Sequence, residues 1–421
     1  MNAARIRLLG PICLLSLVGA WGAGSPAQAQ LPETVSVDDA VSAALTESLV
    51  IKAALSGRDV EQAELRAARA PTPMELLAVP AGTFNDSPII VTQQLDLLGK
   101  RRTASRVSQA QLRAAGHHVE ATRLDVARDT RLAYTGLQEA LDLLELMQRS
   151  HELREALRRL AEGRFELGDV ARVDVDRLEI ERDRAREDVT RAQAEADVRR
   201  ARLNSLMGRD PNSLTLPSET LSLGSRPTWD SDALAAAALR SRPDLKTARA
   251  LLGAREASLR AARASRLPDF EVQLRTGTRV GSPAGTQIGL GLTMPVVDWG
   301  QRSGATRAAR ASIAEKEAQV AELERVVRLE LVTACRSLVA DYDVAVAYSE
   351  SIATRAETVA ELLQLSYERG GSTLLEVIDA ERTLTATQVA RARATAAYRE
   401  SLTYLTWAAG GALPESTTEP Q

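Results

Sequence analysis

Cysteine is almost missing from this 421-residue chain, which has only Cys13 and Cys335. Cys13 falls in an apolar run from Leu8 to about Val18, after the basic Arg5 and Arg7 and ahead of "AQA" before Gln30. That layout is a secretory signal over residues 1–29. Cys13 follows Pro11-Ile12 inside the run and not at a cleavage site, which does not suit a lipid-anchored cysteine. The exported product then keeps Cys335 alone, which excludes an intrachain disulfide, and Cys335 reads as a small packing residue. Beyond the signal no eighteen consecutive residues are apolar, so no helix is expected to cross a membrane. Loss of Arg5 and Arg7 takes the formal charge from −3 to −5, a balance that argues against nucleic acid as a partner.

Aromatic residues are scarce too, at 3%. Alanine, arginine, glutamate and leucine take their place, the profile of long helices packed closely through alanine with charged wet faces. Chemistry-bearing motifs are also lacking. No Ser/His/Asp set, zinc-ligand spacing or phosphate loop occurs, so neither an enzyme nor a cofactor is expected. The adjacent His117 and His118 would point about 100° apart on a helix and cannot hold one ion together unaided.

What the sequence does have is repetition. The hexapeptide "LRAARA" occurs at Leu65–Ala70 and again at Leu259–Ala264, 194 positions later. With the same offset Asp38 falls on Asp232, Leu45 on Leu239 and Lys52 on Lys246. "LDLLGKR" pairs with "VVDWGQR" at an offset of 201 (Gly99 to Gly300), and "RFELGDVARVDV" with "SYERGGSTLLEV" at 202 (Gly168 to Gly370). The chain is a tandem duplication whose second copy carries an insertion between the hexapeptide and the corner glycine. The expected organisation is a signal at 1–29, repeats at 30–210 and 231–410, a linker at 211–230 and a tail at 411–421.

Each copy has the same parts in order. A helix (Val37–Ala70, then Asp232–Arg266) precedes a β-like interval, a very long proline-free helical stretch (Lys100–Arg164, then Arg302–Arg369), a glycine break and a last helix (Val170–Met207, then Thr373–Ala409). At about 1.5 Å per residue each long stretch makes a rod of roughly 97 Å, more than a globular core needs. Leu331, Ala334, Leu338, Tyr342, Ala345, Tyr348 and Ile352 keep the three- or four-residue spacing of a coiled-coil seam. The glycine breaks should fold each last helix back along its rod.

The β-like intervals alternate with period two. Phe270, Val272 and Leu274 do so, as do Ile288, Leu290, Leu292, Met294 and Val296; the first copy has weaker versions at Met74–Val79 and Pro88–Leu97. Such stretches joined by loops are the mark of membrane barrel strands. Four strands cannot close, and an open edge in lipid leaves backbone groups without partners. Two chains would give eight strands, whose interior fills with side chains; three give twelve and leave a lumen. The expected fold is therefore an α+β membrane protein, a trimeric twelve-stranded barrel continued by a long helical coiled-coil barrel.

The duplicated layout, the "QLDLLGKRR" and "MPVVDWGQRSG" corners and the "RFELGD" and "YERGGSTLLEVIDAE" turns resemble the TolC outer membrane efflux family over nearly all of the mature chain. The first corner looks most like its heavy-metal (CzcC-like) branch. The resemblance implies a homotrimer in outer membrane lipid with a periplasmic helical tunnel. It also implies docking to a periplasmic adaptor (membrane fusion protein) and to an inner-membrane pump of the resistance–nodulation–division type. The function implied is the exit duct of a tripartite efflux system, for heavy-metal cations, drugs or secreted polypeptide. The alternative is a periplasmic coiled-coil scaffold or adaptor that never enters the membrane.

Two sets of residues stand out as candidate sites. Glu376 and Asp379 stand at i and i+3 on the last helix. The resemblance implies that they face the lumen at the periplasmic end, so that three copies form a cation-attracting ring; otherwise they complement the helix dipole. Gly168, Asp169 and Val170, with Gly370, Gly371 and Ser372, are turns in any case. The resemblance makes them also the hairpin tips that the adaptor grips.

Overall fold

A computed structural model describes residues 34–78, 89–224, 226, 228–279, 282–294 and 299–411. The signal segment 1–29, the far ends of the strand intervals at Val79 and Val296, and the tail after residue 411 lie outside the described residues.

The two copies fold as the same series. In the first, β1 (Thr34–Val35) leads to α1 (Val37–Glu47), α2 (Leu49–Arg69), β2 (Glu75–Ala78), β3 (Ile89–Leu95), the rod α3 (Lys100–Glu166) and α4 (Arg172–Leu206). After β4 (Leu216–Pro217) come α5 (Ser231–Ser241), α6 (Pro243–Ala264), β5 (Asp269–Arg279), β6 (Ser282–Thr293), α7 (Gln301–Ala347), α8 (Ala353–Glu368) and α9 (Leu374–Ala408). The single first helix expected in each repeat is in fact two. Ser48 breaks the first, its hydroxyl capping Ile51 N–H and its two halves bending by 44°. Arg242 breaks the second at the equivalent place, because Pro243 has no N–H to continue the ladder. Within the stretch 211–230 expected as the linker, β4 pairs in parallel with β1, and Tyr134 Oη donates to Val35 O at 3.0 Å beside it.

The other four described strands form one antiparallel sheet in the order β2-β3-β5-β6. The helices continue it in the same order, α2 packing on α3, α3 on α6 and α6 on α7. At the other end α4 packs on α3, α3 on α9, and α9 on α7 and α8. Both rods therefore run the full length, and the shorter helices are stacked end to end beside them.

Six of the seven expected seam residues pack inward. Leu331, Leu338 and Ala345 lie in the largest core cluster, with Ala334, Tyr342 and Tyr348 packed against it. Ile352 is exposed, against expectation, and Ala353 is buried in its place. The cause is a π-helical turn at Tyr348–Ile352, which adds one residue to the ladder and rotates the helix beyond it. Buried positions run 331, 338, 345, then 353, 360 and 367: heptads with a single skip. This extra residue also accounts for the change in repeat offset from 201 at the corners to 202 at the tips. Before it, the rods match at 201, Val126, Thr130 and Leu137 being buried like Val327, Leu331 and Leu338.

The repeats are locked together around Trp407. Its ring lies between the guanidinium groups of Arg128, 4.6 Å from the centroid, and Arg242, at 4.9 Å. Its Nε1 donates to Asp125 Oδ1 at 2.7 Å. Arg242 is 3% exposed, pairs with Asp244 at 2.6 Å and with Glu330, and donates to Ala408 O at 3.4 Å. Burial works against its charge, but the two carboxylates outweigh burial and raise its pKa.

Deleting Glu350 should convert the π turn into ordinary helix, restore unbroken heptads and leave the thermal midpoint of the assembled protein near that of wild type. Deleting Ser337, an equal shortening inside the seam, should lower the midpoint by many degrees. Thermal melts followed by circular dichroism test the difference, and equal melts would deny the skip its role.

Candidate functional site

The sheet has two chemically different faces, fixed by register. Leu76, Val91, Leu274 and Ile288 align across all four strands on one face, and Leu95, Phe270 and Leu292 across three. Val272 and Leu290 share that face, and Leu290 is 86% exposed. The opposite face carries Thr92, Gln94, Glu271, Gln273, Arg275 and Gln287 with the glycines Gly289 and Gly291. Gln273 Nε2 donates to Glu271 Oε1 at 2.9 Å, and a methyl group on Gly291 would stand 2.6 Å from that same oxygen. One face suits hydrocarbon and the other water, as in a barrel wall.

At the far end of the rods, four helices close over a second core of Leu157, Ala161, Val175, Leu178, Tyr367, Leu374, Val377 and Ile378. The turns beyond it are alike in the two copies. Gly168 (φ 82°) and Gly370 (φ 78°) are left-handed, where a side chain would be strained. Gly168 N donates to Phe165 O and Asp169 N to Arg164 O, both at 2.9 Å; Gly370 N donates to Tyr367 O at 2.9 Å and Gly371 N to Ser366 O at 2.8 Å. These are Schellman closures, which finish α3 and α8 and start the return helices. Gly168, Asp169, Gly370 and Gly371 are exposed, and Val170 and Ser372 half-buried. Leu167, next to the first glycine, is 79% exposed, an apolar tip residue that sequence reasoning missed.

Glu376 and Asp379 are both exposed, on the side of α9 away from Leu374, Val377 and Ile378. Glu376 is also the third residue of a capping box. Its carboxylate accepts from Thr373 N at 2.7 Å and Thr373 Oγ1 at 2.9 Å, and its own N–H donates back to Thr373 Oγ1 at 3.3 Å. The Thr373 backbone N–H, then its hydroxyl, hold the carboxyl below its ordinary pKa.

A group that sequence reasoning missed stands three residues past Asp379. Arg382 Nη2 donates to Glu181 Oε1 at 2.6 Å, joining α9 to α4 across 201 positions, and Arg184 adds a second bond to the same oxygen at 3.0 Å. Glu181 is buried. Burial raises its pKa, but the bond and charge of Arg382 prevail and the net shift is downward. Nearby, Arg164 lies over the Tyr367 ring at 5.0 Å and donates to Tyr367 O at 3.2 Å, joining α3 to α8.

His117 is half-buried and His118 exposed, and among the described residues no three His, Cys, Asp or Glu groups could share a metal ion. Cys335 is half-buried against the main core, where burial raises its thiol pKa.

The model of outer membrane efflux proteins matches residues 85–209 and 234–411, both repeats in turn. The chain belongs to the outer membrane efflux protein family. Its fold is also that of solved structures. A membrane protein from Pseudomonas aeruginosa aligns at TM-score 0.76 and 21% identity over 91% of this chain and 92% of its own. The Campylobacter jejuni CmeC outer membrane channel aligns at 0.76 and 18% over 96% and 94%. The open state of the Neisseria gonorrhoeae MtrE outer membrane channel aligns at 0.76 and 20% over 89% and 89%. No curated protein matches by sequence. Membership makes this an outer membrane efflux channel with a periplasmic helical extension, in a family of channels and not of enzymes, and decides against the periplasmic scaffold.

The tip pair sets a specific expectation. Arg382→Ala leaves the buried Glu181 with the bond of the largely exposed Arg184 and the more distant charge of Arg154, and should destabilise the tip by roughly 1–3 kcal/mol. Glu181→Gln removes the buried charge, leaves Arg382 in water and should cost less. Because the folded pKa of Glu181 is lowered, the pair contributes fully at neutral pH and is lost as the pH falls through that folded value. Amide hydrogen exchange over residues 172–181 and 374–382 measures both. Equal protection in the two variants would contradict the asymmetry.

Proposed function

We propose that three copies of this chain close into one duct, through which an inner-membrane pump and a periplasmic adaptor discharge cargo across the outer membrane. The observation that carries the trimer is the coincidence of open edges. The sheet ends at β2 and β6, and the helical layer beneath it ends at α2 and α7, so both layers are open on the same two sides. Each side presents an apolar groove. One of about 760 Å³ is lined by Val50, Ala53, Ala54 and Gly57; another of about 650 Å³ by Ala235, Leu239, Leu331 and Val332. Seating one edge on the other pairs β6 with the next copy's β2 and removes every free edge, and three copies supply the twelve strands that leave a lumen.

In this reading the apolar sheet face meets lipid, and Glu271, Gln273 and Arg275 line the water-filled interior. The turns at Gly168–Val170 and Gly370–Ser372, some 100 Å along the rods at about 1.5 Å per residue, are the surface gripped by the adaptor. Glu376 and Asp379 form the constriction near the entrance. Up to six carboxylates there favour cations, which fits the metal-cation branch that the first corner resembles.

Mild cross-linking in detergent should trap a species of three chains, and recovery of soluble monomer alone would overturn the duct. Trimers in planar bilayers should prefer cations and be blocked by divalent or trivalent metal ions added at the hairpin-tip side. Glu376→Gln with Asp379→Asn should abolish the block, because glutamine preserves the capping box while the charge is lost. Block unchanged in that variant would place both carboxylates outside the lumen.

A further inference from the structure

We infer that the corners between sheet and helices form a recognition surface for anionic phospholipid in the periplasmic leaflet of the outer membrane. The inference rests on the membrane-barrel reading of the proposed function.

Trp299 carries the observation. It is 92% exposed and, among the described residues, the one non-glycine with positive φ, at 45°. The corner thus holds a large aromatic ring outward in a conformation that side chains rarely adopt. Leu98 is its first-repeat counterpart, one residue before Gly99 as Trp299 is before Gly300, and with Leu97 it is exposed too. Met74, Leu267 and Met294, which flank the same end of β2, β5 and β6, are also exposed. An apolar belt with a tryptophan is what the boundary between hydrocarbon and head groups accommodates.

Directly on the helix side the belt gives way to cations. Arg66, Arg69, Arg101, Arg102, Arg263 and Arg307 are exposed within about two turns of the corners. Of the nearby carboxylates, Asp269 pairs with Lys100 at 2.7 Å and Asp96 accepts from Arg101 N at 3.1 Å, while Glu64 and Glu75 are exposed, so the six arginines outnumber the acids around them. The order from sheet to rod is therefore hydrocarbon face, apolar belt with its tryptophan, then a cationic collar, which matches acyl chain, interface and anionic head group in sequence. Since the rods extend into the periplasm, the leaflet concerned is the one facing it.

Full-length trimers should be reconstituted in phosphatidylcholine bilayers containing a minor fraction of phosphatidylglycerol, with one lipid at a time carrying brominated chains. Subtracting the emission of Trp299→Phe trimers isolates Trp299. At equal mole fraction, brominated phosphatidylglycerol should quench it more strongly than brominated phosphatidylcholine. Arg101→Gln with Arg102→Gln should reduce that preference about fivefold for each arginine lost, while Arg101→Lys with Arg102→Lys keeps it. Equal quenching by the two lipids would overturn the head-group selectivity. Trimers that float with the bilayer but show no Trp299 quenching would place the residue in the lumen or against a neighbouring copy and overturn the inference alone. Failure to float would overturn the barrel reading with it.

Discussion

An unpaired strand edge cannot stay in hydrocarbon, and this constraint orders the whole molecule. Four strands leave β2 and β6 open, with backbone donors and acceptors that lipid cannot satisfy. The helical layer is open on the same sides, at α2 and α7. One act of association thus satisfies hydrogen bonds in the membrane and buries apolar grooves below it. The alignment is possible because each strand follows or precedes its own helix across a short corner, so that sheet order and helix order are one order.

A wall built this way has to be straight for some 100 Å, and the two rods achieve this differently. α3 is an uninterrupted α-helix of 67 residues, whereas its counterpart carries one extra residue and takes it up as a π turn. Absorbing the insertion locally keeps the buried heptads on the inner side both above and below it. The Trp407 clasp lies on the membrane side of that turn. There Arg128 belongs to the first repeat and Arg242 to the second, and a single indole contacting both guanidinium groups couples the two copies.

Much of this was legible in the sequence because duplication states each feature twice. The corner glycines, the tip glycines and the period-two strands of the second copy emerged from spacing alone. The short β2 was harder, since four residues with Leu76 and Leu77 adjacent scarcely alternate. The π turn left a trace only as the step from 201 to 202 between repeat offsets, which shows that one residue is extra but not where the ladder widens. The breaks at Ser48 and Arg242 were visible as a possible cap and as a proline, yet the hydrophobic pattern runs through both. Glu181 and Arg382 lie far apart on different helices, so no local pattern joins them. The capping box was written out as Thr373-Leu374-Leu375-Glu376, a recognisable spacing.

That capping box bears on the acidic pair at the start of α9. A carboxylate bound by two donors of Thr373 and close to a helix start is held in its ionised form. Dipole partner and lumen charge are then not rival roles for Glu376, because the bonds that satisfy the helix leave the group exposed and fully charged. Asp379 has Arg382 nearby on the same helix, and Arg382 is drawn towards the buried Glu181. The cation next to Asp379 is thereby committed to the tip core, where it secures α9 to α4. In the proposed duct the two tasks are thus divided: Arg382 and Glu181 hold the tip together, while Glu376 and Asp379 carry the charge that would attract cations.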